Sequence, residues 1–278
     1  MTIGNALLLG LVQGITEFLP ISSSGHLAIL QNLFNMSDLA NGHLFFDVLL
    51  HLGTMIAICF VYWSDIVAMF RDVMDLLTGR TRLQSQSGRR YPGGRLFFLI
   101  VVATLPLVLI LPVKDGVDAL SGKTIFIGVA LILTGCILFV SDKMKQGRKT
   151  EKNMLFRDAL VIGLCQCVAT IPGLSRSGTT ITAGIATGQD RSFAVKFSLL
   201  MSIPAVLGAT FLELIDAFKA GINVSLIPAY LIGMVVSMIS GFTAIWILRY
   251  IARKGKFGGF AYYCWLVGAL SIVLTVIF

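Results

Sequence analysis

Long apolar stretches separated by short polar segments dominate the chain. Six of them are each close to the roughly 20 residues with which an α-helix crosses a bilayer. They lie at about 46–64, 96–112, 124–141, 193–214, 226–248 and 260–278. Strands of a membrane barrel would be shorter and would alternate between apolar and polar residues. The pattern therefore predicts an all-α polytopic integral membrane protein.

Composition and charge distribution agree with a membrane protein. Hydrophobic residues make up 56% and charged residues 13% of the 278 residues, and the formal net charge is +8. Most basic residues fall in three connections: Arg71, Arg80, Arg82, Arg89, Arg90 and Arg95; Lys143, Lys145, Arg148, Lys149, Lys152 and Arg157; and Arg249, Arg253, Lys254 and Lys256. Positive charge beside membrane spans marks the cytoplasmic side. We therefore expect the lipid bilayer, and no nucleic acid, as the partner of these segments.

The other connections are predicted to face the outside. Near 35–45, 113–123 and 215–225 the only basic residues are Lys114, Lys123 and Lys219. Alternation of basic and non-basic connections sets the direction of every span, and corresponding spans of the two halves then run oppositely.

The chain contains an internal duplication. Segments that begin at Gly10 and at Gly163, 153 residues apart, match without a gap at Gly, Leu, Gln, Ser, Ser and Gly. Each segment is interrupted by proline or glycine, at Pro20 and at Pro172-Gly173, which remove a helix donor or permit a tight turn. Short broken helices of this kind are found where transporters and related proteins build their sites.

We interpret each broken segment as a re-entrant hairpin, at 1–34 and at 158–190. Non-helical backbone at membrane depth is tolerated only within protein or beside water. The chain is then one membrane domain, 1–278, made of two inverted repeats, each a hairpin and three spans. Repeat one covers about 1–141, a cytoplasmic loop about 142–157 and repeat two about 158–278. The alternative is that each broken segment is a kinked full crossing, which would move the N-terminus to the other side.

The repeats differ at the positions that can do chemistry. Glu17 corresponds to Thr170, Ser23 to Arg176 and His26 to Thr179. Ionisable groups at membrane depth are costly and are usually kept for function. Arg176 lies among hydroxyl residues where a helix can begin, an arrangement typical of phosphate binding. The simpler alternative is a structural ion pair between Arg176 and Glu17.

The first repeat offers a candidate nucleophile. A hydroxyl at Ser23 can attack if a base takes its proton, and Glu17 and His26 are the nearby candidates. Gln13 lies one turn before Glu17, so it can orient the carboxylate or donate to a phosphate. The other candidates for phosphate binding are hydroxyl residues of the two turns: Ser22, Ser24, Ser175, Ser177 and Thr180. Four further ionisable residues near span ends are expected to be mainly structural: His43, Asp47, His51 and Glu213.

Two segments resemble the signature motifs of a known family. Residues 13–26, QGITEFLPISSSGH, and residues 172–180, PGLSRSGTT, resemble those of the undecaprenyl pyrophosphate phosphatase family of the bacitracin-resistance type, and the similarity extends over essentially the whole chain. The resemblance implies hydrolysis of undecaprenyl diphosphate to the monophosphate. It implies recycling of the lipid carrier for peptidoglycan and other envelope polymers in the bacterial plasma membrane, with the site open to the periplasmic side.

The resemblance also implies roles for individual residues. Glu17, Ser23, His26 and Arg176 would be catalytic, with Ser23, His26 or water as the attacking group. The family is described as needing Mg²⁺ or Ca²⁺. Its first motif often begins with Glu where this chain has Gln13, so no metal ligand is expected from the protein alone except Glu17, and substrate phosphate would supply the others.

Two other functions are compatible with the pattern. Inverted repeats with broken helices also occur in secondary transporters and would suit a lipid flippase, and a noncatalytic lipid-binding scaffold is a third reading. A homodimer is the expected assembly, if any, through small-residue patches at Gly233 with Ser237 or Gly128 with Ile132.

Overall fold

A computed structural model describes residues 1–33, 44–79 and 92–277, which are almost entirely helical. The α-helices, in chain order, are α1 (Ile3–Phe18), α2 (Ser23–Leu33), α3 (Leu44–Val61), α4 (Trp63–Leu77), α5 (Pro92–Thr104), α6 (Lys114–Asp118), α7 (Thr124–Lys143), α8 (Phe156–Val168), α9 (Arg176–Ala186), α10 (Arg191–Ala220), α11 (Ile227–Lys254) and α12 (Gly258–Ile277). Short 3-10 helices are formed by Leu105–Val113, Ala119–Gly122 and Val224–Leu226. In these described ranges the extended pairing is limited to one isolated bridge between Lys149 and Gln189.

Among the residues that the structure describes, six helical segments are long and apolar enough to cross a membrane. They are Leu44–Val61, Pro92–Gly122, Thr124–Lys143, Arg191–Lys219, Val224–Lys254 and Gly258–Ile277. Each coincides with one of the six apolar runs of the sequence, so the prediction of an all-α, multi-pass membrane protein is confirmed.

At the two broken segments, four of the described helices are too short to cross a bilayer, since about 20 residues are needed. α1 and α8 have 16 and 13 residues, and α2 and α9 have 11 each. They form two consecutive pairs, α1 with α2 and α8 with α9, at the two segments that the sequence predicted to be broken. The breaks are at 19–22 and 169–175, where the predicted proline and glycine residues lie.

One predicted connection is wrong in part. The stretch that contains Arg71 was expected to be a loop, but it forms α4, which packs against α5. The helix is amphipathic: Met69 and Asp72 are buried on one face, whereas Phe70 and Leu77 are exposed. Asp72 accepts hydrogen bonds from the backbone N–H groups of Gly93 (2.8 Å) and Gly94 (3.2 Å) at the start of α5. Charged residues on one helix face account for the loop-like composition.

Other basic residues of the predicted cytoplasmic connections form contacts between separate segments of the chain. Arg95 donates to the carbonyl oxygens of Glu151 (3.1 Å) and Met154 (2.5 Å), and Lys149 pairs with Asp158 at 2.7 Å. These contacts tie the segment between the repeats to α5 and to the start of α8. The predictions for Arg80, Arg82, Arg89, Arg90, His43 and most of the connection near 35–45 lie outside the described residues.

The matched glycines of the two repeats make matching contacts. Gly10 of α1 lies against the backbone of Gly233 in α11, and Gly163 of α8 lies against the backbone of Ala103 in α5. In both places the gap is smaller than a methyl group needs. Each short helix therefore approaches a spanning helix of the other half of the sequence so closely that only glycine fits.

The small-residue patches predicted for a dimer pack within the chain instead. Gly233 faces Phe46 and α1, and Ser237 donates to the carbonyl oxygen of Leu50 at 3.0 Å. Gly128 of α7 faces Gly268 of α12. These residues are thus used for intrachain helix packing, and the homodimer stays a prediction with no surface assigned to it.

Candidate active site

The turns of the two broken segments lie against each other. A methyl group at Gly25 would lie 3.1 Å from the Cα of Gly173, and one at Gly178 would lie 3.3 Å from the Cβ of Pro20. These contacts are reciprocal, because Gly25 corresponds to Gly178 and Pro20 to Gly173 in the duplication. Ser177 adds a hydrogen bond across the contact, to the carbonyl oxygen of Leu19 (3.2 Å).

The same serine arrangement begins α2 and α9. The Oγ of Ser22 accepts from the backbone N–H of Gly25 (3.2 Å), and the Oγ of Ser175 accepts from that of Gly178 (3.1 Å). Each serine also hydrogen-bonds the serine two residues later, at 3.3 and 3.2 Å. Ser22 has a φ of +71°, a left-handed conformation that a side chain seldom adopts. Both helix N-termini are thereby held at the contact between the turns.

Within the site, the Glu17 carboxylate contacts residues of both halves of the chain. Glu17, only 7% exposed, is paired through Oε1 with Nη2 of Arg176. Its other oxygen, Oε2, accepts from the hydroxyl of Ser23 at 2.7 Å and from the amide of Gln13 at 3.2 Å. Gln13, Glu17 and Ser23 of one repeat and Arg176 of the other therefore form one cluster.

Glu17, Ser23 and Arg176 line an open cavity of about 570 Å³. The predicted site residues that line it are Glu17, Ser22, Ser23, Ser24, Ser175, Arg176 and Ser177. Most of the remaining wall is aliphatic or aromatic and comes from the 3-10 helix Leu105–Val113 and from α10, with contributions such as Leu107, Leu111 and Phe211. The cavity therefore joins a polar end to an apolar passage.

His26 does not line the cavity with the other candidates. Its Nδ1 lies 2.7 Å from the carbonyl oxygen of Ser22, and its Nε2 lies 2.9 Å from the hydroxyl of Tyr263 in α12. The two rings are nearly parallel, with centroids 5.6 Å apart. Both nitrogens are thus engaged away from the carboxylate cluster, and sequence reasoning did not identify Tyr263.

Two other candidates support the site from outside the cavity. Thr180 is 2% exposed; it donates to the carbonyl oxygen of Arg176 (2.8 Å) and hydrogen-bonds Ser198 of α10 (2.6 Å). Gln13 is fully buried and contacts Glu17 from one turn away, as its spacing predicted. Neither is among the residues that line the cavity.

Gln13 also reaches a residue that the sequence analysis had assigned a structural role. Its Nε2 lies 3.0 Å from Nδ1 of His51, in α3. His51 lines the cavity, as does Glu213 of α10. The sequence did contain a signal for His51, because an ionisable residue within an apolar run usually indicates function.

The arrangement is suited to phosphate chemistry. The Arg176 side chain is 24% exposed, and its guanidinium has five donor hydrogens, so it can contact a ligand while paired with Glu17. The N-termini of α2 and α9 favour negative charge nearby. A serine hydroxyl that donates to a buried carboxylate has the geometry of a nucleophile beside a base.

The side chains do not make a metal site by themselves. No group of three or more His, Cys, Asp or Glu residues that could hold an ion occurs in ranges 1–33, 44–79 and 92–277. Both Glu17 oxygens already accept from protein donors. A divalent ion here would therefore need ligands from another source, such as the substrate.

Comparison with known proteins agrees with the resemblance of the two motifs. An undecaprenyl-diphosphatase of Alkaliphilus metalliredigens is 39% identical over 282 residues, covering all of both chains. One of Methanosphaera stadtmanae is 36% identical over 278 residues, covering 98% of each, and undecaprenyl-diphosphatase 3 of Bacillus cereus is 34% identical over 271 residues, covering 97% of this chain and 96% of its own. Residues 6–270 match the family described as bacitracin resistance protein BacA, and the chain belongs to that family.

Proposed function

We propose that this chain hydrolyses undecaprenyl diphosphate to undecaprenyl phosphate and inorganic phosphate. It would thereby recycle the lipid carrier for peptidoglycan and other envelope polymers and confer bacitracin resistance. Full-length relatives named undecaprenyl-diphosphatase support the assignment. The structural observation that carries it is the Ser23 hydroxyl held 2.7 Å from the Glu17 carboxylate, which Arg176 also contacts, in a cavity whose remaining wall is mostly apolar.

The polar end of the cavity suits the diphosphate group of the lipid, and its apolar wall suits the polyprenyl chain. The diphosphate would lie at the turns, where Arg176 and the amides of the two helix N-termini offset its charge. The polyprenyl chain would follow the apolar wall formed by Leu105–Val113 and α10 toward the bilayer. Hydroxyls of Ser175 and Ser177 are available to the phosphate oxygens.

The reaction would proceed in two displacements. The Ser23 Oγ attacks the terminal phosphorus while Glu17 accepts the hydroxyl proton, and the bond from phosphorus to the bridging oxygen breaks. Undecaprenyl phosphate leaves with the proton from Glu17. Water then attacks the phosphoserine, gives its proton to Glu17 and displaces the Ser23 oxygen, which regains that proton as phosphate departs. Arg176 offsets the charge that develops on the phosphoryl oxygens in both steps.

A cation would have a limited role in this scheme. If Mg²⁺ or Ca²⁺ binds with the substrate, the diphosphate would supply most of its oxygen ligands. Among the predicted site residues, Glu17 is the carboxylate that could add one in place of a present hydrogen-bond partner. The ion would offset negative charge of the substrate.

The site is proposed to be built by two inverted repeats, 1–141 and 158–278, and to open to the periplasmic side. Three symmetric features support this: the reciprocal turn contact, the equivalent serine caps, and the glycine approaches of α1 to α11 and α8 to α5. Short broken helices that meet in this way are typical of inverted repeats. The basic connections would then be cytoplasmic.

Thiol labelling of intact cells tests this topology. In a chain whose five cysteines are replaced, Thr2→Cys and Lys219→Cys are expected to react with a membrane-impermeant maleimide from outside. Lys145→Cys is expected to react only after permeabilisation. The three positions are exposed. Labelling of Thr2→Cys from the inside would instead support a kinked full crossing by the first segment.

Phosphate release tests the function. The purified chain, reconstituted in liposomes with undecaprenyl diphosphate, is expected to release inorganic phosphate and to yield the monophosphate by mass. Thr243→Ala is a suitable control because this exposed hydroxyl bonds only its own helix at Ile239, 3.1 Å away. Movement of the lipid between leaflets without phosphate release would favour the flippase, the rival that the broken helices support.

A further inference from the structure

Hydrogen bonds through Gln13 connect Glu17 to His51 in α3, a third helix of the first repeat. The Nε2 of Gln13 lies 3.2 Å from Glu17 Oε2 and 3.0 Å from Nδ1 of His51 in α3. We propose that His51 is a positioning residue, which fixes the Gln13 amide and through it the carboxylate that accepts the proton of Ser23. This inference rests on the proposed phosphatase function and adds to it a residue outside both sequence motifs.

The chemistry of the three groups sets the direction of both hydrogen bonds. An ionised carboxylate can only accept, so Gln13 must turn its NH₂ group toward Glu17. The same nitrogen then donates its second hydrogen to His51, whose Nδ1 must be an unprotonated acceptor. The imidazole is therefore neutral and has its proton on Nε2.

Because the Gln13 amide is buried, its NH₂ group needs His51 as a hydrogen-bond acceptor. Gln13 is fully buried, and its Oε1 has no hydrogen-bond partner among the described residues. If His51 did not accept, one hydrogen of the NH₂ group would be unpaired as well. The amide could then rotate to satisfy itself elsewhere, and Glu17 would lose the donor that fixes Oε2 relative to the Ser23 hydroxyl.

Direct proton transfer by His51 is the competing role, because the imidazole also lines the cavity. The two roles differ in what they require. Positioning needs only an acceptor at the place of Nδ1, whereas proton transfer needs a titratable ring. Asparagine separates them, since its side-chain oxygen falls near the position of a histidine Nδ1 and does not titrate.

The test compares His51→Asn with His51→Leu in the phosphate-release assay. His51→Leu is expected to lower kcat about 10- to 100-fold with KM little changed, because a displaced carboxylate affects the chemical step. His51→Asn is expected to restore kcat close to that of the unchanged chain. Equal loss in both variants would overturn positioning in favour of proton transfer, and full activity of His51→Leu would overturn any role.

A double variant shows whether His51 acts through Gln13. In a Gln13→Met background, His51→Leu is expected to cause little further loss, because the path is already broken. A loss equal to that in the unchanged background would overturn the proposal. No phosphate release by the unchanged chain would instead refute the phosphatase function itself.

A spectroscopic measurement covers the case in which His51→Leu does not fold. The ¹⁵N spectrum of the histidine-labelled chain, assigned by difference from His51→Asn, is expected to show His51 with an unprotonated Nδ1 and a protonated Nε2. The chain has three histidines, so the assignment is practical. A proton on Nδ1 would contradict the proposed direction of the hydrogen bond and overturn the inference.

Discussion

Arg176→Ala is expected to lower phosphate release by at least about a thousandfold, since loss of one preorganised donor to a developing oxyanion usually costs a hundred- to thousandfold and this donor also carries charge. The loss should appear in both kcat and KM, because the guanidinium would hold the diphosphate in the ground state and in the transition state. Steady-state phosphate release at several lipid concentrations measures both constants.

A second effect of this substitution must be separated from the first. Removing the guanidinium leaves the Glu17 carboxylate buried beside no cation, which we expect to lower the free energy of unfolding by roughly 2 kcal/mol. The Arg176 side chain is partly solvated, so we discount the larger cost of a fully buried pair. The double variant Glu17→Gln with Arg176→Ala removes the unpaired charge and is expected to regain stability while it stays inactive.

Arg176→Lys completes the comparison. It retains the charge but lacks the planar fork that contacts two oxygens at once, so we expect an intermediate loss of kcat with nearly normal stability. The thermal unfolding midpoint in detergent reports stability for all three variants. Substantial turnover by a folded Arg176→Ala protein would contradict the assignment of the arginine to the phosphate.

Much of this fold could be predicted because its main signals are local. About 20 apolar residues indicate a span wherever they occur, and proline or glycine next to serine indicates a break. The helix α4 was not predicted because its charged residues suggested a loop, whereas Asp72 binds the backbone of α5, a contact that only the packed structure shows. Amphipathic periodicity across Trp63–Leu77 was the signal that could have identified it.

Part of the site could be predicted because the duplication allows equivalent positions of the two repeats to be compared. Differences between equivalent positions pointed to Glu17, Ser23 and Arg176, and these lie together. The same comparison pointed to His26, which corresponds to Thr179, but His26 does not join this cluster. Its orientation depends on Tyr263, 237 residues away in sequence, and no local pattern reports that contact. For His51, its position within an apolar run was a signal of function, but its contact with Gln13, which lies in another helix, could not be predicted from a local pattern.

Ser23→Ala is expected to lower kcat by about a thousandfold or more, because it removes the attacking oxygen. Glu17→Gln is expected to lower it by roughly a hundred- to ten-thousandfold, because the hydroxyl would stay in place without a base. The two effects should be far from additive, since the pair works as one unit. Phosphate release by the two single variants and the double variant checks this, with Thr243→Ala as the control.

The attacking atom can be identified chemically. With substrate labelled in its terminal phosphate and acid quenching, the unchanged chain is expected to retain label on Ser23 as an acid-stable phosphoserine, and Ser23→Ala to retain none.

His26→Ala is expected to have a much smaller effect on kcat than Ser23→Ala, since its ring lies outside the cavity and binds Tyr263. Acid-labile label that His26→Ala abolishes would instead identify the imidazole as nucleophile. A nearly active Ser23→Ala with an inactive Glu17→Gln would mean that the carboxylate activates water directly, because the base would then be needed while the hydroxyl is not.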